Sequence, residues 1–260
     1  MSNPAAKLLD PLKLLKDSLG SRPRDSGGNT GLIILNTPIT NPDLLQRLWT
    51  KASYIVCADG GANQLYDLLN RLDDNLLEAL KPDEIHGDLD SIRDSVRQHY
   101  TSENVPITKD DDQYHTDFEK SIGRIAASLP AVIDILVLGS LSGRVDQGIG
   151  LLSEMYRQQK RHPEITLWFL SEDNISFVLD RGHTTIATDV STGLITENAG
   201  ILPLFGPASI TIEGFEWDVS DWHTELGDQV STSNHIKASQ VAISTNHPVL
   251  FTIELGNLAK

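Results

Sequence analysis

The chain has one cysteine and two methionines among 260 residues, and aromatic side chains make up only 6% of it. Its single cysteine, Cys57, has no partner for an internal disulfide, which excludes a disulfide-stapled scaffold and agrees with a reducing compartment. Cys57 sits in the apolar run Tyr54-Ile55-Val56-Cys57-Ala58 with no base beside it, so a structural thiol is expected rather than a nucleophile. No apolar run approaches the ~20 residues of a membrane-spanning helix, and no secretory hydrophobic segment stands at the start. A soluble, cytoplasmic protein without a membrane partner is the expectation. Positive charge is also scarce, with 21 Lys and Arg against 36 Asp and Glu and a net charge of −15. Nucleic acid is therefore not an expected partner, because neutralising a phosphate backbone needs clustered cations. The acidic field instead favours a cationic small molecule. The P-loop pattern G-x-x-x-x-G-K-[ST] and the full G-x-G-x-x-G fingerprint are both missing, and the eight histidines lack metal-ligand spacing.

What is present is a regular alternation of short apolar runs and amphipathic segments. Residues 1–28 combine a Leu/Lys segment with a Ser/Arg/Pro/Gly loop and read as an N-terminal appendage. From Gly31 onward, Leu32–Leu35, Tyr54–Ala58, Ile133–Leu138 and Ile165–Leu170 read as buried strands. Between them, Leu44/Leu45/Leu48/Trp49, Leu65/Leu68/Leu69/Leu72, Phe118/Ile122/Ile125/Leu129 and Val145/Ile149/Leu152/Tyr156 mark the inner faces of helices. Asn41-Pro42 supplies an N-cap and a first-turn proline, and Thr116-Asp117-Phe118-Glu119 has capping-box spacing. Such alternation predicts a mainly parallel α/β domain over residues 29–175. After that, short alternating runs separated by Gly, Pro, Asn and Asp predict an antiparallel β-sandwich over residues 176–260.

The chemistry-bearing segments follow strands or open helices, where ligands of parallel sheets collect. Gly87-Asp88-Leu89-Asp90-Ser91 places two carboxylates one residue apart, and on an extended segment both would face a single hard cation such as magnesium. Taken alone it reads equally as a solvated turn. Asp59-Gly60-Gly61 closes a strand with a carboxylate and two permissive residues, as an ordinary βα turn also would. Asp117 lies in a first helical turn, suited either to the helix dipole or to a third metal contact. Asp110-Asp111-Asp112 reads as a solvated acidic loop, with Lys109 and Gln113 the better polar contacts, and Lys120 reads as a surface helix residue. Gly139 to Arg144 suits phosphate, with Arg144 as a forked donor and Asp146 to orient it or bind metal; a local ion pair is the plain alternative. In the C-terminal part, Gly214-Phe215-Glu216-Trp217-Asp218 and Ser231-Thr232-Ser233-Asn234 set an aromatic ring among polar groups, suited to a cationic heteroaromatic ligand or to an ordinary core.

In order along the chain, Cys57 to Asn63, Gly87 to Ile92, Gln113 with Thr116-Asp117-Phe118, Gly143 to Gln147, Gly214 to Trp217, and Ser231 to Asn234 resemble the thiamine pyrophosphokinase family in its eukaryotic form. The resemblance spans nearly everything after the N-terminal segment. It implies a homodimer of an α/β catalytic domain and a β-sandwich domain, with active sites shared between subunits. The implied reaction moves the pyrophosphoryl group of ATP onto the hydroxyethyl oxygen of thiamine, giving thiamine diphosphate and AMP. By position it implies Asp88, Asp90 and Asp117 as magnesium ligands with Asp59 nearby, and Gln113, Arg144 and Asp146 on nucleotide phosphates or thiamine. Trp217, Ser233 and Asn234 would belong to the thiamine pocket. Catalytic roles fall on Asp59, Asp117, Arg144 and Asp146, with Asp146 or Asp117 accepting the alcohol proton. Two departures stand out: Asp110-Asp111-Asp112-Gln113 where many relatives have Asp-Gln-Asp, and Leu141-Ser142 at an often glycine-rich position. Another D-x-D transferase, for nucleotides or sugars, and a calcium-holding binding module are the competing readings.

Overall fold

The computed structural model describes residues 7–16, 22, 28–72, 80–139 and 144–258. The chain divides into two compact units, Ser18–Glu172 and the pair Met1–Asp17 with Asp173–Lys260. The N-terminal segment thus does more than append. Strand β1 (Lys7–Leu9) pairs in parallel with a strand of the β-rich unit, Leu8 opposite Thr185, and the one-turn helix α1 (Leu12–Leu15) buries Leu12, Leu14 and Leu15. Its Leu/Lys alternation is too short to announce an edge strand, and the sheet that receives it lies far along the chain.

The α/β unit contains β2 (Thr30–Ile34), α2 (Pro42–Lys51), β3 (Tyr54–Ala58), α3 (Gly61–Leu72), β4 (Glu84–Gly87), α4 (Asp94–Ser102), β5 (Ile107–Lys109), α5 (Asp117–Ser128), β6 (Asp134–Leu138), α6 (Val145–Arg161) and β7 (Thr166–Leu170). Its strands pair in the order β7-β6-β2-β3-β4-β5, every pair parallel. Strands β2 and β6 are buried at every position, as expected of parallel strands covered on both faces. The helices begin where their sequences indicate. Asn41 Oδ1 accepts from Leu44 N at 2.9 Å, and Thr116 Oγ1 accepts from Glu119 N at 3.2 Å. Where α3 opens, glycine is required at Gly61 because a Cβ there would lie 2.1 Å from the Ile34 carbonyl oxygen.

Helix α6 departs from its sequence pattern. Val145 and Ile149 are 76% and 63% exposed, and the buried positions are Glu154, Met155, Gln158 and Gln159. Its buried residues lie in the C-terminal half, where the Gln159 amide donates to the Ile165 carbonyl at 2.8 Å and accepts from Leu167 N of β7 at 3.4 Å. The 3.6-residue period in its first half therefore does not mark a face buried within this unit.

The β-rich unit contains β8 (Asn174–Leu179), β9 (Gly182–Ala187), β10 (Ile195–Leu202), β11 (Ala208–Glu213), β12 (Val219–Thr224), β13 (Ser231–His235), β14 (Gln240–Thr245) and β15 (Val249–Leu255). One sheet runs β13-β10-β15-β8 and the other β1-β9-β14-β11-β12, antiparallel throughout except for β1. Alternate residues point into a common core, including Ile210 and Ile212, Val241 and Ile243, and Phe251 and Ile253. Phe251 packs edge-on against both Phe177 and Phe215. Burying each such ring contributes roughly 1.5–3 kcal/mol. Among the described residues no helix is long and apolar enough to cross a membrane.

Candidate active site

Four acidic positions follow parallel strands or open helices: Asp59 after β3, Asp88 after β4, Asp117 at the start of α5 and Asp146 in the first turn of α6. Three of them converge. Asp59, Asp88 and Asp117 each offer a carboxylate oxygen, and these atoms lie within 4.8 Å of one another. Three carboxylates this close repel, and burial adds to the penalty. The Asp59 carboxyl is held above its ordinary range by burial and by Asp88, partly offset by backbone amides. Asp117 is raised by burial first and by the Asp88 charge second.

The convergence has a local cause in each segment. Asp59 adopts a left-handed backbone (φ 40°), and its N–H donates to the His86 carbonyl at 2.9 Å, prolonging the β3–β4 ladder by one residue. Its two carboxylate oxygens accept from Ser91 N at 2.9 Å and Ile92 N at 3.0 Å. Asn63, in the first turn of α3, donates to the Ser91 carbonyl and accepts from Arg93 N. The Asp59-to-Asn63 motif thus latches the loop that carries Asp88. At Gly87, a Cβ would lie 2.7 Å from Asp117 Oδ1 and 3.0 Å from Asp59 Cβ, so only glycine lets this backbone run beside both carboxylates. Asp117 Oδ1 in turn accepts from Asp88 N at 3.2 Å.

The pair Asp88 and Asp90 is not arranged as the extended-segment reading expects. Leu89 takes φ 62°, a left-handed turn, and Asp90 N donates back to Asp88 Oδ1 at 3.2 Å. The alternation rule holds only for a strand, and this segment is not one. Asp90 is exposed, accepts from Ser91 Oγ, and is not among the three converging carboxylates; Asp59 stands in that set instead.

Lys120, expected at the surface, is buried. Its side chain is 3% exposed, its ammonium donates to the Asp110 carbonyl at 2.9 Å, and it stands 3.7 Å from Asp117 Oδ1. The spacing of three from Asp117 on one helix was the available signal. Asp110 and Asp112 shape their loop by accepting from Asp112 N and Tyr114 N respectively, while Asp111 pairs with Lys109 at 2.5 Å. Gln113 is exposed on that loop. Arg144 and Asp146 form an exposed two-pronged ion pair with each other, at 3.1 and 2.6 Å. Residues 140–143, which precede them in the glycine-flanked motif, lie outside the described residues.

In the β-rich unit, Trp217 is 54% exposed, unusual for so large a ring. Asn234 is 3% exposed, and its amide is spent on the Trp217 backbone: Oδ1 accepts from Trp217 N at 3.3 Å and Nδ2 donates to Trp217 O at 3.1 Å. Ser233 has a left-handed φ of 55° and lines a cavity of about 340 Å³ together with Asn198, Gly200, Thr232, Thr252 and Glu254. The motif thus separates into an exposed ring, a buried clamp and a cavity-lining hydroxyl.

Comparison with known proteins agrees with both units. The family model for the catalytic domain of thiamin pyrophosphokinase matches residues 45–167, and that for its vitamin B1 binding domain matches residues 183–250. Thiamine pyrophosphokinase 1 of Oryza sativa subsp. japonica is 31% identical over 244 residues, covering 90% of each chain. The Saccharomyces cerevisiae thiamine pyrophosphokinase is 28% identical over 275 residues, covering 87% of this chain and 86% of its own. The solved thiamin pyrophosphokinase of Candida albicans superposes with a TM-score of 0.80 at 28% identity, covering 98% of this chain and 95% of its own. The yeast enzyme's crystal structure shares the fold with a TM-score of 0.84, at 24% identity and with 98% and 94% covered. Matched in order by the models of both domains, and 31% identical to a relative over 90% of its length, this chain belongs to the thiamine pyrophosphokinase family.

Proposed function

We propose that the chain transfers the pyrophosphoryl group of ATP to the hydroxyethyl oxygen of thiamine, giving thiamine diphosphate and AMP. The observation that carries this reading is the convergence of Asp59, Asp88 and Asp117 at the carboxyl ends of parallel strands in a member of this family. In the reaction the thiamine hydroxyl oxygen bonds to the β-phosphorus of ATP. The bond from that phosphorus to the oxygen bridging to the α-phosphorus breaks, and AMP leaves with its electron pair.

Magnesium suits the three carboxylates. They are hard oxygen donors, already within 4.8 Å of each other, and a cation removes the repulsion that raises two of them. When bound, it would neutralise the transferring phosphates. The exposed Asp90 lies close in sequence for a contact through water. Lys120 tempers the same charge from within the protein, and Asp59 keeps the loop in place through its two backbone amides.

Phosphoryl-type transfer asks the protein chiefly for positioning and charge stabilisation. The Arg144 guanidinium is the forked donor for the triphosphate, with Gln113 as a second polar contact. As it stands, pairing with Arg144 holds the Asp146 carboxyl below its usual range. A phosphate that takes the guanidinium frees that carboxylate to receive the hydroxyl proton. Trp217 offers an aromatic face to the cationic thiazolium or the pyrimidine, with Ser233 alongside and Asn234 holding the backbone. The active site is read as shared across a homodimer in the cytoplasm; the buried, lone Cys57 supports a reducing setting.

The test is direct: incubate the protein with ATP, thiamine and magnesium and follow AMP and thiamine diphosphate. Formation of both in equal amounts supports the reading, whereas ADP with thiamine monophosphate, or no turnover, refutes it. Mixing inactive Asp117→Asn with Trp217→Ala subunits, assayed at thiamine too dilute for Trp217→Ala alone to turn over, should recover activity if sites are shared, and no recovery refutes sharing.

A further inference from the structure

An exposed tryptophan is ordinarily free to change rotamer, yet Trp217 is held from two sides. Its backbone is fixed by the Asn234 amide and by the pairing of Phe215 with Ile236. Its ring packs against the imidazole of His235, with centroids 5.1 Å apart and planes inclined by 43°. His235 is itself oriented: its Nδ1 lies 2.7 Å from Glu216 Oε2, which Lys237 approaches at 3.1 Å while also pairing with Glu197 at 2.9 Å. Surface ion pairs of this kind contribute little to folding. Their common effect is to fix one ring beneath another.

We propose that His235 is a positioning residue that pre-organises Trp217 as a platform for the cationic ring of the substrate. This inference rests on the reading of Trp217 as a thiamine contact. With one side of the indole supported by the imidazole, binding does not have to immobilise the ring, so less of the stacking energy is lost to ordering. Glu216 does double duty: it orients His235 and adds negative charge beside the platform, favourable to a cation.

The experiment compares the full-length protein with Trp217→Ala, His235→Ala and His235→Phe, measuring KM for thiamine and for ATP separately, with melting curves for each. His235→Ala should raise KM for thiamine about fivefold, the scale of one weakened aromatic stack, with kcat and KM for ATP changed by less than about twofold. His235→Phe, which restores a ring without the link to Glu216, should recover more than about half of that loss. A purely structural role would instead lower the melting temperature and shift both KM values together, and that result overturns the proposal. So does an unchanged thiamine KM in His235→Ala when Trp217→Ala raises it. If Trp217→Ala itself leaves the thiamine KM unchanged, the pocket reading falls and this inference with it.

Discussion

Replacing Gly87 by alanine tests whether the close approach of three segments is what builds the carboxylate site. The added Cβ would stand 2.7 Å from Asp117 Oδ1, 2.9 Å from its Cγ and 3.0 Å from Asp59 Cβ. Non-bonded contacts settle at about 3.5 Å, so something must retreat by roughly 0.5–0.8 Å. Asp59 yields poorly, because both its oxygens are anchored to the Ser91 and Ile92 amides. Asp117 is the group that moves, and with it goes the 3.2 Å bond from Asp88 N. Gly87 also has φ 154°, which disfavours a side chain, and the combined strain should cost about 1–3 kcal/mol. For a chain of this size that lowers the melting temperature by roughly 2–6 °C. The site suffers more than the fold, since a misplacement approaching 1 Å costs on the order of 100-fold in rate. The assay is kcat/KM for AMP release alongside a melting curve, with Gly123→Ala in α5 as control, because a Cβ there meets nothing within 4 Å. Activity of Gly87→Ala within about threefold of the parent would sink the steric argument.

Asp117→Asn should abolish turnover while leaving the melting temperature in the absence of metal unchanged or higher, because the ionised carboxylate is held there against burial and the Asp88 charge; a large drop in melting temperature speaks against this. For the same reason magnesium should stabilise the parent protein in a pH-dependent way. Asp59 and Asp117 have folded pKa values raised above 3.8, so the native state holds their protons more tightly than the unfolded chain does, and stability is lost as pH rises through the raised values. Magnesium restores it, so the metal-induced shift in melting temperature should be larger at about pH 7 than at about pH 4.5, and a shift independent of pH contradicts the cluster's electrostatics. Glu84→Ala should destabilise by roughly 2–4 kcal/mol in denaturant titration. It strips Tyr54, Thr108 and Arg124 of a buried carboxylate, and the partial exposure of Arg124 keeps the cost from being higher. Burial raises the Glu84 pKa, but hydrogen bonds from Thr108, Arg124 and Tyr54 outweigh it and lower the pKa below 4.5. Its stabilisation is present above that value and disappears as pH falls through the lower folded value, so the gap between parent and variant should close in acid.

The alternation of apolar runs and amphipathic segments is enough to read a parallel α/β unit followed by a β-rich one, because period and burial are local consequences of backbone geometry. Asp88, Asp117 and the capping role of Thr116 are legible for the same reason: a strand end and a helix start are visible in short windows. Other features depend on what lies across space. Lys120 looks like any helix lysine until the loop at Asp110 folds over it. The first half of α6 carries a regular apolar period that its own unit leaves exposed. Strand β1 has only three residues, and its place on β9 is decided by a partner about 175 positions away.

The sequence by itself determined which residue types stand at the ends of strands and the starts of helices, and with its ordered motifs it identified the family. The tertiary structure decided which of those carboxylates meet. Asp88 and Asp90, separated only by Leu89 with its left-handed backbone, do not both join the carboxylate cluster, while Asp59 and Asp117, 58 positions apart, converge because parallel pairing of β3 and β4 and the glycine at Gly87 bring their backbones together. Proximity along a chain fixes only local direction. Proximity in space comes from strand order and close packing, which no short window contains.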